Sequence, residues 1–407
     1  MWVVAGDVFH LEVWMRLAIG VDVAKDMHWV TALTEHGDVV LDRRVANTPD
    51  EVTALAAELG ALGGEHTVGI DVVGGIASLV TAVLLDAGER VVHVPGLAVN
   101  RARQGTTGGE AKSDPRDARV IAEQVRTRRD LRPIDAESEP LIELRLLVGR
   151  RRDLVVEQTR RLARLHDLLV TIHPGLERRL DLTTKGALYL LTRYVTPAEL
   201  RRAGRARLVS FLRTCPHLQR LEALAAAALE AAHEQRLALP GEAVAATLCR
   251  ELASDALRTR ERLGTLDQQL TELLARHPDG TLILSLPGMG VTLACEFFVE
   301  AGSLARFASP DALAAAAGLA PVLRQSGKVR FLRRPLGGNK NLKRVLYQSA
   351  FCSLQHPVSR AFYDRKRREG KRHHQALIAL ARRRVNVLWA MLRDRHPYQA
   401  RPAGQAA

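Results

Sequence analysis

The chain has 407 residues, of which 47 % are hydrophobic and 26 % are charged. This length predicts two or three domains, and the ordinary composition excludes wholesale disorder. The four cysteines lie far apart with no CxxC spacing, which argues against a disulfide framework or a zinc site and favours a reducing compartment. No run of about 18 apolar residues could span a bilayer, and residues 1–15 lack the basic start and cleavage site of a signal peptide. We therefore expect a cytoplasmic protein with no membrane partner, whose true start is Met1 or Met15.

The formal net charge is +14, and it is distributed unevenly along the chain. Residues 17–100 contain 4 Lys/Arg against 12 Asp/Glu, whereas residues 324–407 contain 21 Lys/Arg against 3 Asp/Glu. Because the forked guanidinium of arginine binds phosphate oxygens well, the basic segment predicts a nucleic-acid partner. The acidic segment would need divalent cations to approach the same polyanion. The alternative is that a high-GC genome enriches arginine and alanine everywhere.

Strand and helix signals alternate over residues 17–95. Three hairpin-like strands are followed by alternating helices and strands, which predicts a mixed α/β sheet in the order of a ribonuclease-H-like domain. The predicted strands are Leu17–Val23, His28–Thr34, Val39–Val45, Thr67–Val72 and Arg90–Val94, and the predicted helices are Pro49–Leu59, Ala77–Ala87 and, after a glycine-rich stretch, Pro115–Arg128.

Two helical blocks follow. From Pro140 to His173, leucines recur at three- and four-residue spacing, which predicts one long amphipathic helix. A second block, Leu218–Arg276, is rich in Ala, Leu and Glu and suits an antiparallel partner or a dimer contact. From Leu282 onwards we predict a separate small basic domain, in which the helix Val291–Glu300 follows the segment LPGMG. That segment is either a phosphate-holding loop or a tight turn.

Two aspartates stand at predicted strand ends. Asp22 ends the strand in GVDVAK, and Asp71 ends TVGID. Open α/β sheets bind ligands at such strand ends, although each acid alone also fits an ordinary turn or cap.

Asp114 and Asp117 lie three residues apart in KSDPRDARVIAEQ, so on a helix they share one face. Asp114 before Pro115 is also a good N-cap, and Asp117 would complement the helix dipole. One carboxylate can cap the helix while the other binds metal. Together with Asp22 and Asp71, these acids predict a site for two Mg²⁺ ions, or Mn²⁺, roughly 4 Å apart at a phosphodiester.

The C-terminal segment GLAPVLRQSGKVRFLRRPLGGNKNLKRVL surrounds Ser326 with cations. A serine in this setting can attack phosphate, with guanidinium groups stabilising the developing charge. No histidine or aspartate base is evident in the motif, and Ser-Gly is also a common hairpin turn. The candidate contacts to the scissile phosphate and the neighbouring backbone are Arg324, Lys328, Arg330, Arg333, Arg334, Asn339, Lys340, Lys343 and Arg344.

These motifs resemble those of the DEDD transposases of the insertion sequence 110 family, which have a RuvC-like N-terminal domain and a C-terminal transposase domain. The resemblance runs from about Leu17 to about Trp389. It is carried by GVDVAK, the strand ending at Asp71, the run from HVPG through KSDPRDARVIAEQ, SLPGMG, RFASPDALAAAAGLAP, and QSG followed by GGNKNLKRVL. Several ordered motifs are more specific than any one of them.

The resemblance implies roles for particular residues. Asp22, Asp71, Asp114 and Asp117 match the metal-binding acids, and Ser326 matches the serine nucleophile. The second acid is usually glutamate in this family. Asp71 is shorter by one CH₂ group, so the metal geometry can differ while the charge is kept.

The resemblance also implies a mechanism and partners. Members of the family move their element by recombination without target duplication, and they are guided by an RNA made from the end of the element. The long helices are similar to the family's coiled-coil insertion, which joins protomers. A homo-oligomer, either a dimer or a tetramer, is therefore implied, with the acids of one subunit beside the serine of another.

We predict a fold of class α/β plus α. Its parts are a RuvC-like, ribonuclease-H-like mixed-sheet domain at residues 15–135, a helical coiled-coil region for oligomerisation at 136–277, a small, mostly helical transposase domain at 278–395 and a disordered tail at 396–407. The predicted protein is a bacterial, nucleoid-associated transposase that cuts and rejoins double-stranded DNA through a serine–DNA intermediate, with Mg²⁺ and a guide RNA. The alternatives are a Holliday-junction-resolvase-like nuclease that uses water, with Ser326 only a turn, and a non-catalytic RNA- and DNA-binding protein.

Overall fold

The computed structural model describes residues 16–105, 113–134, 139–327, 329–333 and 335–399. Lys328 and Arg334, two of the predicted phosphate contacts, and Met15 therefore lie outside the described residues. The chain divides into two compact units, Met1–Glu137 and Ser138–Ala407, and each unit has hydrophobic cores of its own.

The first unit is built on a six-stranded mixed sheet with the strand order β3-β2-β1-β4-β5-β6. β1 pairs in parallel with β4, and β4 with β5, while the other pairs are antiparallel. This arrangement confirms the predicted mixed α/β sheet and is consistent with a ribonuclease-H-like domain. The strands are β1 (Arg16–Asp22), β2 (Met27–Leu33), β3 (Val39–Ala46), β4 (Glu65–Ile70), β5 (Arg90–His93) and β6 (Arg132–Pro133).

Four α-helices and one short 3-10 helix, Gly75–Ala77, accompany this sheet in the described part of the unit. The α-helices are α1 (Pro49–Leu62), α2 (Ser78–Asp86), α3 (Gly96–Gln104) and α4 (Asp114–Thr127). Helices α1 and α4 each have a proline and two acidic residues in the first turn, which matches the fixed φ of proline and the positive end of the helix dipole.

The predicted elements of this unit are found within about three residues of their expected bounds, the usual uncertainty at element ends. Helix α3 and strand β6 are absent from the prediction. Val99 is the only buried residue among those of α3, so the apolar periodicity that reveals a helix is missing there. β6 has only two residues, one of them Pro133, which lies on the edge strand where proline is tolerated.

The second unit begins with helices around two long ones. They are α5 (Glu139–Ile172), α6 (Pro174–Arg179), α7 (Lys185–Leu191), α8 (Pro197–Arg213), α9 (Leu221–Glu234) and α10 (Glu242–Arg276). Helices α5 and α10 pack side by side and antiparallel. Arg151 Nε donates to Asp267 Oδ1 at 2.6 Å, and Gln158 Nε2 donates to the Ala256 carbonyl oxygen at 3.2 Å.

The predicted helix Pro140–His173 corresponds to α5, but the predicted block Leu218–Arg276 is two helices. The chain breaks between α9 and α10 at residues 235–241, where Pro240 removes a donor and Gly241 takes a φ of +79°. Helices α6 to α8 are also absent from the prediction. α6 and α7 have only 6 and 7 residues, and the 17-residue α8 is interrupted at Gly204, which takes a φ of +64°. All three share a core with α5, α9 and α10, so burial rather than local periodicity defines them.

The remainder of the second unit contains six α-helices, two short 3-10 helices and one hairpin among its described residues. The α-helices and strands are α11 (Gly280–Leu284), α12 (Val291–Ala301), α13 (Pro310–Ala316), β7 (Val322–Ser326), β8 (Val329–Arg333), α14 (Lys340–Cys352), α15 (Pro357–Arg368) and α16 (His373–Asp394). Leu144 and Val148 of α5 and Leu270 and Leu274 of α10 belong to the same core as these helices.

The LPGMG segment is a packed turn. The Met289 N–H donates to the Leu286 carbonyl oxygen at 3.0 Å, and Gly288 has a φ of +78°. A Cβ atom at Gly288 would lie 2.5 Å from the Ser353 backbone nitrogen. The buried Arg384 donates to the Pro287 carbonyl oxygen at 2.6 Å, so the structure supports the turn interpretation.

The described chain continues past the predicted start of the disordered tail. The Tyr398 N–H donates to Ser285 Oγ at 2.8 Å, and the Tyr398 side chain packs against the core. Residues 396–399 of the predicted tail thus belong to the described structure, whereas residues 400–407 lie outside it. Among the described helices, none combines the length and the apolar composition that a membrane span requires.

Candidate active site

Asp22 and Asp71 lie next to each other at one edge of the sheet. β1 and β4 are parallel neighbours, and Val21 pairs with Ile70 at their carboxyl ends. Asp22 ends β1, and Asp71 follows β4 directly. Neighbouring strands are about 4.8 Å apart, so carboxylates carried by these two strands can approach one shared cation. Open α/β sheets bind ligands at this edge, where the parallel strands have their carboxyl ends.

Helix α4 brings the other two acids to the same edge. Its last turn is near the amino end of β1, because Arg126 donates to the Glu35 carbonyl oxygen at 3.0 Å and Glu35 follows β2, which runs antiparallel to β1. The first turn of α4, with Asp114 and Asp117, therefore lies towards the carboxyl ends of β1 and β4. The helix packs directly on the sheet, since a Cβ atom at Gly20 would lie 2.0 Å from a carbonyl oxygen of α4.

Asp117 is engaged by an arginine of the same unit. It is only 6 % exposed, and Arg103 Nη1 donates to both of its carboxylate oxygens, at 3.0 and 3.1 Å. Arg103 Nη2 also donates to Asn100 Oδ1 at 2.8 Å, so the guanidinium joins α3 to the first turn of α4. Removing one partner of such a pair is costly, because the other charge stays buried and uncompensated.

Asp114 has different surroundings. It is exposed at the first residue of α4, and the cap position is Ser113, whose side chain accepts no capping hydrogen bond. The prediction that Asp114 is the N-cap is therefore wrong by one residue, because the helix begins at Asp114 itself. Its carboxylate faces solvent and can approach a cation.

The oxygen donors at this edge suit a hard divalent cation. Carboxylate oxygens are the ligands that Mg²⁺ prefers, and Asp22, Asp71 and Asp114 carry them on neighbouring elements. The acids do not form a finished coordination sphere: within the described ranges, no three His, Cys, Asp or Glu side chains are grouped closely enough to hold an ion. Asp117 would have to lose its hydrogen bonds from Arg103 before it could bind a metal ion together with the other three aspartates.

Ser326 lies at the end of a two-stranded ribbon in the second unit. β7 and β8 pair antiparallel, and Ser326 is opposite Val329 beside the turn, where Gly327 takes a φ of +54°. Every residue of both strands is exposed. Ser-Gly is thus part of a hairpin turn, as one interpretation predicted, and the same turn exposes Ser326 to solvent.

The register assigns the described arginines of the ribbon to its two faces. In an antiparallel pair, residues directly opposite each other share a face, and so do alternate residues along each strand. Arg324 and Arg333 therefore lie on the face of Ser326, whereas Arg330 lies on the other face. Two of these three predicted phosphate contacts therefore share a face of the ribbon with Ser326.

Two predicted contacts at the start of α14 form hydrogen bonds inside the protein. Asn339 Oδ1 accepts from two backbone N–H groups of the first turn, at 2.9 and 3.0 Å, and Asn339 Nδ2 donates to Glu300 Oε2 at 2.9 Å. Lys343 Nζ donates to the Gly318 carbonyl oxygen at 2.8 Å. These side chains hold α14 in place, and Lys340 is exposed in the same turn.

Arg344 is paired with a buried carboxylate. Its Nη2 lies 2.7 Å from Glu296 Oε2, and Glu296 is only 7 % exposed. Glu296 and Glu300, one helical turn apart on α12, are absent from the sequence-based predictions. The signal that marks them is a pair of glutamates inside the apolar run VTLACEFFVEA, since buried carboxylates are rare unless paired.

Two family models match the chain. Residues 19–174 match the IS110 DEDD model, which is described as a transposase, and residues 280–364 match the model of the IS116/IS110/IS902 transposase family. The first match includes Asp22, Asp71, Asp114 and Asp117, which together we call the acidic edge. The second includes the ribbon with Ser326.

Relatives extend the similarity over nearly the whole chain. An insertion element IS900 protein of Mycobacterium paratuberculosis is 43 % identical over 394 residues, covering 95 % of this chain and 98 % of the relative. The mini-circle putative transposase for IS117 of Streptomyces coelicolor is 26 % identical, covering 94 % of this chain and 95 % of the relative. The pilin gene-inverting protein of Moraxella bovis is 29 % identical over 144 residues, covering 33 % of this chain and 45 % of the relative.

The matches agree with the architecture described above. The acidic edge lies on the mixed sheet of the first unit, and the basic ribbon lies in the second unit. Both family models are models of transposases, and they match in this same order along the chain. The chain therefore belongs to the IS110/IS116 family of insertion-element transposases, enzymes that act on DNA in transposition and recombination.

Proposed function

We propose that this transposase cuts and rejoins double-stranded DNA through a serine–DNA covalent intermediate, with Ser326 as the nucleophile. The observation that carries the proposal is the position of Ser326 at an exposed turn, with Arg324 and Arg333 on the same face of the ribbon. Guanidinium groups bind phosphate oxygens in a forked geometry and stabilise the charge that develops on them during attack.

The proposed step conserves phosphodiester bonds. The Ser326 oxygen attacks phosphorus and gives up its proton, while the bond from phosphorus to one DNA oxygen breaks and that oxygen takes up a proton. Attack by the hydroxyl end of a second strand on the serine phosphodiester then reverses the step and frees Ser326. No external energy source is needed, because each bond broken is matched by one formed.

We assign a divalent cation, Mg²⁺ or Mn²⁺, to the acidic edge. Asp22, Asp71 and Asp114 would hold it, and such an ion supplies Lewis-acid stabilisation of the attacking and leaving oxygens. In this proposal Asp117 would become a further ligand if Arg103 bound a DNA phosphate instead, since a phosphate is also a good partner for a guanidinium.

The proposal includes two partners. A guide RNA from the end of the element is supported by the family resemblance and by the 21 Lys/Arg against 3 Asp/Glu of residues 324–407, which suit either nucleic acid. A dimer or tetramer is supported by exposed apolar side chains on the long helix α5, including Leu146 and Val156. In that assembly the acids of one protomer would serve the serine of another.

The first test looks for the covalent intermediate. Purified protein is incubated with the flanking element RNA, MgCl₂ and labelled DNA that carries the element junction, and a denaturing gel then shows any protein–DNA adduct. Wild type is compared with Ser326→Ala, Asp114→Asn and, as a matched control, Ser210→Ala, which changes an exposed serine on α8. We expect the adduct in wild type and Ser210→Ala only.

Two other outcomes favour the alternatives. Cleavage without an adduct, unaffected by Ser326→Ala, would support the resolvase-like nuclease, which the hairpin position of Ser326 also allows. RNA and DNA binding with neither cleavage nor adduct would support a non-catalytic protein.

A mixing experiment tests the shared site. Ser326→Ala and Asp114→Asn proteins are combined before DNA is added. If the acids of one protomer serve the serine of another, the mixture regains part of the adduct that neither variant forms alone. If the mixture forms no adduct, the acids and the serine of one site belong to the same protomer.

A further inference from the structure

Phe331 is an exposed aromatic residue on the ribbon that carries Ser326. Its exposed fraction is 54 %, although a phenylalanine in a folded protein is usually buried. It lies on β8, and no residue of β7 or β8 is buried. Two strands without a covered face are marginally stable in water, so a bound partner is expected to cover this one.

The register places Phe331 on the same face as the serine. Phe331 is directly opposite Arg324, which lies two residues before Ser326 on β7, so all three side chains belong to one face. Arg333, two residues further along β8, lies on that face as well. Phe331 thus has an arginine opposite it and another beside it.

The spacing matches that of a nucleic-acid strand. Two residues of a β-strand span about 7 Å, which is the distance along the ribbon from Ser326 to the level of Phe331. Successive nucleotides of one strand rise about 3.4 Å along a duplex. If Ser326 reaches a phosphate, the base about two nucleotides away is therefore level with Phe331.

The charge of this face identifies the kind of partner. Within the described ranges, neither Arg324 nor Arg333 forms an ion pair, so both can meet phosphates when a strand binds. An apolar protein surface would leave these two cations without counter-charges, whereas a nucleic acid supplies phosphates for the arginines and a π-face for the phenylalanine.

We infer that Phe331 stacks on a base of the DNA strand next to the phosphate that Ser326 attacks. The stacked base would hold that phosphate in line with the serine, so Phe331 is a positioning residue rather than a catalytic one. This inference rests on the proposed function, since it takes Ser326 as the residue nearest to the reacting phosphate.

Photocrosslinking tests the contact directly. Single thymines in the junction DNA are replaced in turn by 5-iodo-deoxyuridine, which crosslinks on irradiation to an aromatic side chain stacked on it. The full chain, bound to element RNA and MgCl₂, is irradiated, and the linked peptide is mapped by mass spectrometry. We expect a crosslink at Phe331 from one or two positions only.

Substitutions test whether the ring itself is needed. Phe331→Ala and Phe331→Leu should weaken binding of the junction DNA by about tenfold, and Phe331→Tyr should restore it, because stacking on a base requires a π-face. Leu332→Ala is the matched control, because Leu332 is 67 % exposed and adjacent but lies on the opposite face. It should change binding less than twofold.

The outcomes separate this inference from the proposed function. A crosslink that persists in Ser326→Ala, where no adduct forms, supports stacking whether or not serine is the nucleophile. An adduct in wild type without any crosslink at Phe331 would overturn the stacking inference alone. Full binding by Phe331→Leu, combined with loss of oligomerisation by Phe331→Ala, would assign the residue to a contact with a second copy of the chain instead.

Discussion

At the scale of single residues, the acidic edge contains two carboxylates with opposite surroundings. Asp117 is buried and bound by Arg103, whereas Asp114, three residues earlier, is exposed. Both belong to the proposed metal site, yet only Asp117 also holds the fold together. Their substitutions should therefore affect recombination alike and stability differently.

We predict that Asp117→Asn lowers the free energy of unfolding by about 1–3 kcal/mol, because a charge-assisted hydrogen-bonded pair is replaced by a weaker neutral contact. Asp114→Asn should change it by less than about 0.5 kcal/mol, as is usual for an exposed position. Urea unfolding followed by circular dichroism measures both values. Equal stability of the two variants would show that the pair with Arg103 contributes nothing.

At the scale of elements, the sheet and helix α4 depend on a glycine at their contact. A Cβ atom at Gly20 would lie 2.0 Å from the Ala118 carbonyl oxygen and 2.4 Å from the Ala122 nitrogen, both backbone atoms that cannot turn aside. The helix must move if the strand gains a side chain. Because α4 carries Asp114 and Asp117, such a movement would also separate them from Asp22 and Asp71.

We predict that Gly20→Ala destabilises the protein by roughly 1–3 kcal/mol, the usual range for overpacking, and reduces recombination. Gly149→Ala is the matched control. Gly149 lies inside α5 with nothing within 4 Å of its added Cβ, so alanine should stabilise that helix by up to about 1 kcal/mol. Urea titration and a recombination assay report the two effects. A fully active and stable Gly20→Ala variant would contradict the close packing of α4.

At the start of α8, the surroundings of Glu199 predict that the stability of the protein depends on pH. Partial burial alone would raise the pKa of Glu199, but the Val195 and Thr196 backbone N–H groups and the Arg250 guanidinium outweigh it and hold the pKa below its ordinary value of 4.5. Since the carboxylate is stabilised in the folded state, its contribution is complete above pH 4.5. It is lost as the pH falls through the lower pKa of the folded protein.

We predict that Glu199→Gln destabilises the protein at pH 7 by about 1 kcal/mol, the usual value of a helix cap, and that the difference from wild type shrinks below pH 4.5. Glu261→Gln, at an exposed position of α10, is the control and should behave like wild type. Chemical unfolding at pH 7 and at pH 4 gives the comparison. A difference that grows on acidification would have the wrong sign for this mechanism.

At the scale of the whole molecule, the two units have separate cores and opposite charge. The core residues of the mixed sheet all precede residue 138, and those of the helical and ribbon-bearing parts all follow it. The acidic stretch lies in the first unit and the basic stretch in the second. Each unit should therefore fold on its own, and the second unit should provide most of the electrostatic attraction to DNA.

We predict that residues 139–399 expressed alone fold cooperatively and bind junction DNA, with an affinity that falls steeply as salt rises because counterions are released. Residues 16–134 alone should fold but bind DNA at least tenfold more weakly at the same salt. Circular dichroism and fluorescence anisotropy check the two halves of this prediction. Equal DNA affinity of both fragments would contradict the division of charge.

The amino-acid sequence by itself determined five of the six strands of the sheet and the aspartates at the ends of two of them, and it offered the hairpin turn around Ser326 as one interpretation. Each of these follows from a local pattern: an apolar run before Asp22, another before Asp71, and Ser-Gly between two short apolar stretches. Local patterns are visible in sequence because the residues that define them are neighbours along the chain. The ordered motifs also sufficed to place the chain in its transposase family.

Only the tertiary structure decided which residues meet across elements. No periodicity predicts that Arg103 on α3 pairs with Asp117, that Glu296 is buried beside Arg344, or that Phe331 shares a face with Ser326. The first two contacts join different helices, and the third depends on strand register, which a shift of one residue would reverse. These pairings are set by how cores pack and strands align, which involve residues far apart in the chain, and so they could not be read from any single stretch of it.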